Sequence, residues 1–303
     1  MPRVAVLPLT LVLFLLATGC GGSSTEAVEE PTAGSLEALW RAPGEDVAIV
    51  PGTADFAPGR LRFSFLVVGG QGQVVTRPKA RIWLARGLDR KPFLETTASS
   101  EPIGIESSEE ADASAIFVTY LDVPEPGKYW LLAEPIGGRK IQALGNVVVA
   151  RRSKAPNVGD PAIPSKTPTI ASTGGDLAAL STQKPPDQEL LRVSVAEALA
   201  ARAPFVVTFA TPQFCTTRTC GPVVDVVGVV RKAFAETPIR FIHVEIFKDN
   251  DPAKGTNRWV KEWKLPSEPF TFLVGADGLV KDRFEGTFSV RELTAAVKRE
   301  LEQ

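Results

Sequence analysis

Two rhythms of apolar residues divide this 303-residue sequence, and the switch between them limits what the chain can fold into. From about 45 to 152 the apolar residues come in short runs: "RLRFSFLVV", "ARIWLAR", "AIFVTYLDV", "KYWLLAEPI" and "NVVVARR". These runs are rich in β-branched and aromatic side chains, and "PGR", "GGQG", "PEPG" and "IGGRK" punctuate them, which is the pattern of strands joined by turns. "RLRFSF" alternates polar and apolar, as an antiparallel strand with one solvated face does. No strand–helix–strand alternation interrupts the series. After a stretch at 153–187 in which Pro, Ser, Thr and Gly dominate without a period, and which reads as a linker, the rhythm changes. "PPDQELLRVSVAEALAARAP" places Val193, Val195, Leu199 and Ala200 on one face of a short helix. "PFVVTFA" then reads as a buried strand, "VVDVVGVVRKAFAE" as a helix, "IRFIHVEIF" as a strand and "NRWVKEWKL" as a short helix. "FTFLVGADGLVKDRFEG" is a hairpin turning at Asp277-Gly278. "SVRELTAAVKRELEQ" is an amphipathic helix, with Ser289 as N-cap, Glu292 three residues on, and Val290, Leu293, Val297 and Leu301 on one face.

The first rhythm predicts a small all-β sandwich of the Ig-like kind over 45–152. Tyr129 follows a tight turn in "DVPEPGKYW", where it reads either as a tyrosine corner or as an ordinary core tyrosine. The second rhythm predicts an α/β unit over 188–303. One segment there is in conflict with itself: "VVDVVGVV" has six valines around Gly228 and local strand preference. Pro222 at a first-turn position and the helix-forming "RKAFAE" argue for a helix, and packing on a sheet can override propensity.

The N-terminal segment predicts the compartment. Arg3 is followed by an apolar run from Val4 to Leu16, the layout of a secretory signal and too short for a comfortable membrane span. Leu16-Ala17-Thr18-Gly19-Cys20 resembles a bacterial lipobox, which implies a signal at 1–19, cleavage before Cys20 and lipid on its sulfur. A chance cysteine after an ordinary signal is the alternative. Residues 20–44 begin with "GGSSTEAVEEPTAG", a tether composition. The expected protein is extracytoplasmic and anchored to the membrane through Cys20. In that compartment disulfides persist, and of the three cysteines only Cys215 and Cys220 remain as thiols. The loop between them is so short that a purely structural bridge there contributes little. The formal net charge is −1 and no basic block stands out, so nothing favours nucleic acid.

Around those cysteines the chain resembles the thioredoxin family over roughly 188–303. A buried strand runs into a cysteine loop ending in Cys220-Gly221-Pro222, which opens a helix. Trp263, Leu265 and Pro269 follow with the family's stepping of aromatic, aliphatic and cis-proline, then Gly278 at the hairpin turn and Gly286 eight residues beyond. The resemblance implies a thioredoxin-like fold, no cofactor, a redox pair of Cys215 and Cys220, a cis Pro269 that shapes a substrate groove, and Glu268 offering its backbone to a bound polypeptide. The spacing departs from the family: four residues separate the cysteines, and Gly-Pro follows the second. Matching the pair makes Cys215 the attacking thiol. Matching Cys-Gly-Pro makes Cys220 the nucleophile and puts Val223 in the resolving position. Cys220 before Pro222 sits where a helix N-terminus favours a thiolate, and Arg218 either acts in the same sense or is a solvated loop residue. Thr208 stands where the family carries a buried carboxylate. Asp225 either replaces that acid or is polar-face solvation.

Two rivals use the same residues. Copper-chaperone-type proteins pair two cysteines with a histidine, but His243, the one histidine, falls mid-strand, and the single methionine, Met1, removes thioether ligands. Peroxiredoxins use a Pro-x3-Thr-x2-Cys loop. Pro212 and Thr216 fit its first spacing, and Cys220 comes one residue late. The expected function is a membrane-anchored thiol–disulfide oxidoreductase exchanging thiols and disulfides with exported proteins, with no metal. The alternative is a non-catalytic binding module or a copper-handling protein.

Overall fold

A computed structural model describes residues 30–105, 114–138, 140–214 and 220–302. After a five-residue helix, α1 (Leu36–Trp40), come seven strands: β1 (Glu45–Pro51), β2 (Gly59–Val68), β3 (Lys79–Ala85), β4 (Leu94–Pro102), β5 (Ala115–Val123), β6 (Gly127–Pro135) and β7 (Ile141–Val149). They form a closed barrel in the order β1-β2-β5-β4-β3-β6-β7. Every pair is antiparallel except the closing one, β1 with β7, which is parallel with Ala48 opposite Leu144. The interior is aromatic and aliphatic. Phe63, Phe65 and Phe117 stack in series at 5.1 and 5.4 Å between ring centroids, with Ile82, Leu84, Leu121 and Leu131 filling the rest. Tyr129 is buried, and its hydroxyl donates to the Glu125 carbonyl at 2.7 Å, four residues upstream.

The rest of the chain contains α2 (Val195–Ala200), β8 (Phe205–Phe209), α3 (Cys220–Ala233), β9 (Arg240–Val244), α4 (Arg258–Glu262), β10 (Phe270–Val274), β11 (Val280–Glu285) and α5 (Val290–Leu301). The second sheet has the order β11-β10-β8-β9. Only β8 and β9 are parallel; β10 runs antiparallel to β8, and β11 antiparallel to β10.

The expected fold class, an Ig-like sandwich followed by an α/β thioredoxin-like fold, is corrected in both halves. Strand β1 pairs with β2 on one edge and β7 on the other, which closes the first sheet into a barrel rather than leaving two packed sheets. In the second half only one parallel pair forms, because the β10–β11 hairpin adds antiparallel strands, and α2 and α4 are only six and five residues long.

Segment 220–233 is helical despite its valines. Val223, Val224, Val226, Val227 and Val230 are fully buried with Val206 of β8 and Leu293, Ala296 and Val297 of α5. Burying each is worth roughly 1.5–3 kcal/mol, against a helix-propensity cost of at most about 0.7 kcal/mol per residue. Gly228 leaves room for Asp187, whose carboxylate would sit 3.3 Å from an added Cβ and pairs with Arg231 at 3.1 Å. Helix α5 carries the expected capping box: Ser289 Oγ accepts from Glu292 N, and the Glu292 carboxylate accepts from Ser289 N. In α2 the buried face is Val195 and Ala198, and Ala200 points to solvent.

Barrel and second sheet belong to one compact unit, Thr32–Gln303. Their seam is polar and buried. Arg62, on the face of β2 that alternation assigns to solvent, is 7% exposed. It pairs with Glu292 at 2.8 Å and donates to the Thr287 carbonyl at 2.9 Å. Glu285 accepts from the backbone N–H groups of Ala54 and Asp55 at 2.9 and 2.8 Å, and Asp55 pairs with Arg283 at 2.8 Å. Stretch 153–187 lies against the second sheet: Gly159 N–H donates to the Val280 carbonyl at 2.8 Å, Val280 N–H to Asp160 at 2.9 Å, and Ala162 N–H to Gly278 at 2.9 Å.

Candidate active site at one end of the second sheet

Strand register decides which residues meet. Phe209, the last residue of β8, lies opposite Val244 of β9 on one side and Phe270 of β10 on the other. One step beyond, Ala210 N–H donates to the Val244 carbonyl at 3.1 Å. The same end of the sheet therefore gathers Ala210, Glu245 just past β9, and Glu268-Pro269 just before β10. The Glu268–Pro269 peptide bond is cis, as the resemblance implies. From Ala210 the chain leaves through Thr211 to Phe214 toward Cys215, and the 14-residue α3 begins at Cys220, with Pro222 in its first turn.

Cys215, Thr216 and Arg218 lie outside the described residues, as does Cys20. Trp263 is fully buried against Phe209 and Phe272, with ring centroids 5.2 and 4.8 Å away. Leu265 packs part-buried on the same core. Gly278 and Gly286 both take positive φ, +78° and +72°. Thr208 is buried, its hydroxyl 3.0 Å from that of Thr271 on β10, so the position where the family carries an acid holds a neutral hydroxyl pair. Asp225 accepts from Gln183 Nε2 at 2.8 Å, which makes it a tie between α3 and the 153–187 stretch. His243 is buried one residue from the C-terminal end of β9 rather than mid-strand as expected, with Nε2 3.1 Å from the Ala210 carbonyl oxygen at the same sheet end. Burial pushes its imidazole below the ordinary range, while the Glu245 charge and the Ala210 carbonyl pull the other way. Among the described residues no cluster of His, Cys, Asp or Glu is placed to hold a metal ion, and no helix is long and apolar enough to cross a membrane.

Sequence reasoning missed Glu245. It is 5% exposed, and Oε1 accepts from the Thr182 backbone N–H at 2.6 Å and from the Thr182 hydroxyl at 2.8 Å. Thr182 Oγ1 in turn accepts from Gln213 N–H at 3.1 Å, so the chain two residues before Cys215 is tied to Glu245 through one hydroxyl. Phe214 adds an edge-on contact with Phe247, ring centroids 6.4 Å apart. Glu268 has its carboxyl pushed up to about 7, first by burial and then by the charge of Glu245. Two carboxyl groups thus share the sheet end that leads into the cysteine loop, and one of them changes protonation near neutral pH. The only sequence signal for Glu245 was its place inside the apolar run "IRFIHVEIF", where an acid is unusual.

No protein-family model matches the chain, and no curated protein matches it. Among solved structures, a thiol:disulfide interchange protein of the thioredoxin family from Chlorobium tepidum aligns with 50% of this chain and 99% of its own, at 14% identity and a TM-score of 0.30. Superoxide reductase (neelaredoxin) from Ignicoccus hospitalis aligns with 37% of this chain and 86% of its own, at 12% identity and a TM-score of 0.19. A thioredoxin-family thiol:disulfide interchange protein is thus a distant structural neighbour of this chain, at low identity and over half its length.

Proposed function

We propose that the protein is a thiol–disulfide oxidoreductase whose redox pair is Cys215 and Cys220. The observation that supports it most is the register that sets the end of β8, where the chain leaves toward the cysteines, beside the start of β10 after cis Pro269, together with a helix that begins at Cys220. A cysteine at the N-terminus of a 14-residue helix meets unpaired N–H groups and the positive end of the dipole, which favour its thiolate. In the proposed step one thiolate attacks a disulfide sulfur of an exported polypeptide. A mixed disulfide forms and the partner's other sulfur leaves as thiolate. The second cysteine then attacks the mixed disulfide, the partner departs reduced, and a Cys215–Cys220 disulfide remains. The reverse sequence delivers that disulfide to a dithiol. Glu268, whose carboxyl titrates near 7, is the group at this sheet end suited to take or return the proton of the thiol.

The test is trapping. Cys215→Ala and Cys220→Ala variants should each be examined for mixed disulfides with exported proteins, and the wild-type pair titrated with dithiothreitol. One variant should accumulate adducts and the wild-type pair should cycle. Absence of adducts in both variants, with a pair that never opens, rejects the reading.

The signal-like segment and Cys20 support an extracytoplasmic, lipid-anchored position. Cys20→Ala should shift the protein from the membrane fraction to the soluble one.

A further inference from the structure

Strand β11 carries Arg283 and Glu285 two residues apart, on one face, and both reach the same barrel segment. Glu285 is buried. Its Oε2 accepts from the backbone N–H groups of Ala54 and Asp55 at 2.9 and 2.8 Å, and its Oε1 accepts from the Ser267 hydroxyl at 2.7 Å. One carboxylate therefore joins the connection between β1 and β2 to the residue two before Pro269. Arg283 repeats the pattern. It pairs with Asp55 at 2.8 Å and lies 4.9 Å from the ring centroid of Phe270, the residue after Pro269. Between them, Gly286 N–H donates to the Pro269 carbonyl at 2.9 Å.

The barrel side of these contacts is itself tied down. Gly52 N–H donates to the Ser64 carbonyl at 2.8 Å, and Thr53 Oγ1 accepts from Ser64 N–H at 3.2 Å. The Asp55 carboxylate also accepts from the backbone N–H groups of Lys154 and Ala155 at 2.8 and 3.0 Å. The other side has no such frame: β10 begins only at Phe270, and Ser267 is exposed. A carboxylate that accepts from three fixed donors holds geometry better than neutral hydrogen bonds do.

We propose that the barrel is a positioning element for the polypeptide groove, and that Glu285 is the positioning residue through which it fixes Ser267–Pro269. The inference rests on the thiol–disulfide function proposed above. Its consequence is selective. A polypeptide disulfide lying along 267–269 needs that segment in place, whereas a disulfide too small to reach past the sulfurs does not.

The test compares two substrates. Pre-reduced full chain, freed of reductant, is mixed with excess bovine insulin or with bis(2-hydroxyethyl) disulfide. Acid quenching, alkylation and mass measurement then follow its oxidation as the added disulfide is reduced. Glu285→Ala should lower the apparent second-order rate with insulin by about tenfold or more, through weaker saturation rather than a lower limiting rate, and leave the small disulfide within about twofold. Glu285→Gln should restore the insulin rate, because its oxygen can accept from Ala54 and Asp55 while its amide donates to the Ser267 hydroxyl. Ser267→Ala, at an exposed position, cuts the same link without stranding buried groups and should repeat the selective loss. It should also speed hydrogen exchange at the Gly286 amide, which reports the bond to Pro269, by about threefold or more. Equal slowing of both substrates by Glu285→Ala, or slowing of neither, overturns the proposal. So does unchanged Gly286 exchange in Ser267→Ala. A wild-type chain oxidised by neither disulfide rejects the thiol–disulfide function itself and the groove with it.

Discussion

Replacing Gly286 by alanine should open the seam between barrel and second sheet, and the cost follows from two separable effects. Gly286 has φ +72°, a conformation that costs an L side chain about 1–2 kcal/mol. A Cβ there would also lie 2.4 Å from the Gly52 carbonyl oxygen, well inside the 3.0 Å that real Cβ atoms respect. Neither partner is free to retreat. Gly52 N–H donates to the Ser64 carbonyl at 2.8 Å inside the barrel, and Gly286 N–H to the Pro269 carbonyl at 2.9 Å at the candidate site. Relieving such a contact costs roughly 1–3 kcal/mol more, so the total is about 2–5 kcal/mol. Gly278 supplies the control. Its φ is +78°, yet an added Cβ would meet only Leu199 Cδ2 at 3.4 Å, an ordinary contact. Gly278→Ala should therefore lose about 1–2 kcal/mol and no more. The assay is urea unfolding followed in parallel by tryptophan fluorescence and far-ultraviolet circular dichroism. Equal losses in the two variants, within about 0.5 kcal/mol, would refute the claim that close approach of the barrel backbone requires glycine at 286.

Three further outcomes follow from the same seam and its neighbours. Arg62→Met strands the Glu292 carboxylate in a buried site and should cost about 3–5 kcal/mol in chemical denaturation, and adding Glu292→Gln should recover part of the loss by removing the orphaned charge. Ser194→Ala should cost about 1 kcal/mol as a lost N-cap, whereas Ser289→Ala should cost more, because its hydroxyl also donates to the buried Glu101 carboxylate at 2.7 Å. Glu268 is raised from its ordinary 4.5 to about 7, so the native state binds the proton more tightly than the unfolded state. Its contribution is complete below the unfolded value and disappears as pH rises through about 7. Glu268→Gln should therefore remove a fall in stability between those two values, on the order of 1 kcal/mol after discounting solvent screening at this half-buried group, measured by denaturation across that range.

The strand runs of the first half were legible because their turns are spelled in Gly, Pro and Asp. The way they close was not. Strands "EDVAIVP" and "LETTASSEP" were not among the runs expected from sequence; the second is mostly polar, and β1 is the strand that closes the barrel by its parallel pairing with β7. Alternation in β2 was read correctly as one apolar and one polar face, but solvation of the polar face was an assumption. The second half covers that face at Arg62, which is buried against Phe284, Glu285, Thr287 and Glu292. Periodicity reports which side chains share a face; it carries no information about what lies across from that face. Helix α3 shows the opposite case. Its local valine preference pointed to strand, and Pro222 with the following "RKAFAE" outweighed it, because tertiary burial of five valines dominates the intrinsic term.

At the candidate site the sequence supplied the residues that are fixed by local grammar: Cys220 at a helix start, Pro269 before a strand, Gly278 and Gly286 at positive φ. It looked for an acid on β8, because the family resemblance pointed there, and found Thr208. Structure places carboxyl groups one strand away on either side, Glu245 past β9 and Glu268 before β10, both next to Ala210 by register. No spacing rule connects residues 210, 245 and 268; only the order β10-β8-β9 does. The same order explains why Glu245 is held through Thr182, from the Pro- and Thr-rich stretch that shows no period of its own. That stretch has few side chains that advertise burial. It is fixed by backbone N–H and C=O groups pairing with β11 and its turn and by small polar side chains such as Ser165, Thr182 and Gln183, and backbone hydrogen bonds are the interaction a sequence encodes least. The acid that shapes the charge at this site is therefore set by topology and by a segment without pattern, and a resemblance restricted to cysteine, proline and glycine positions had no means of reaching it.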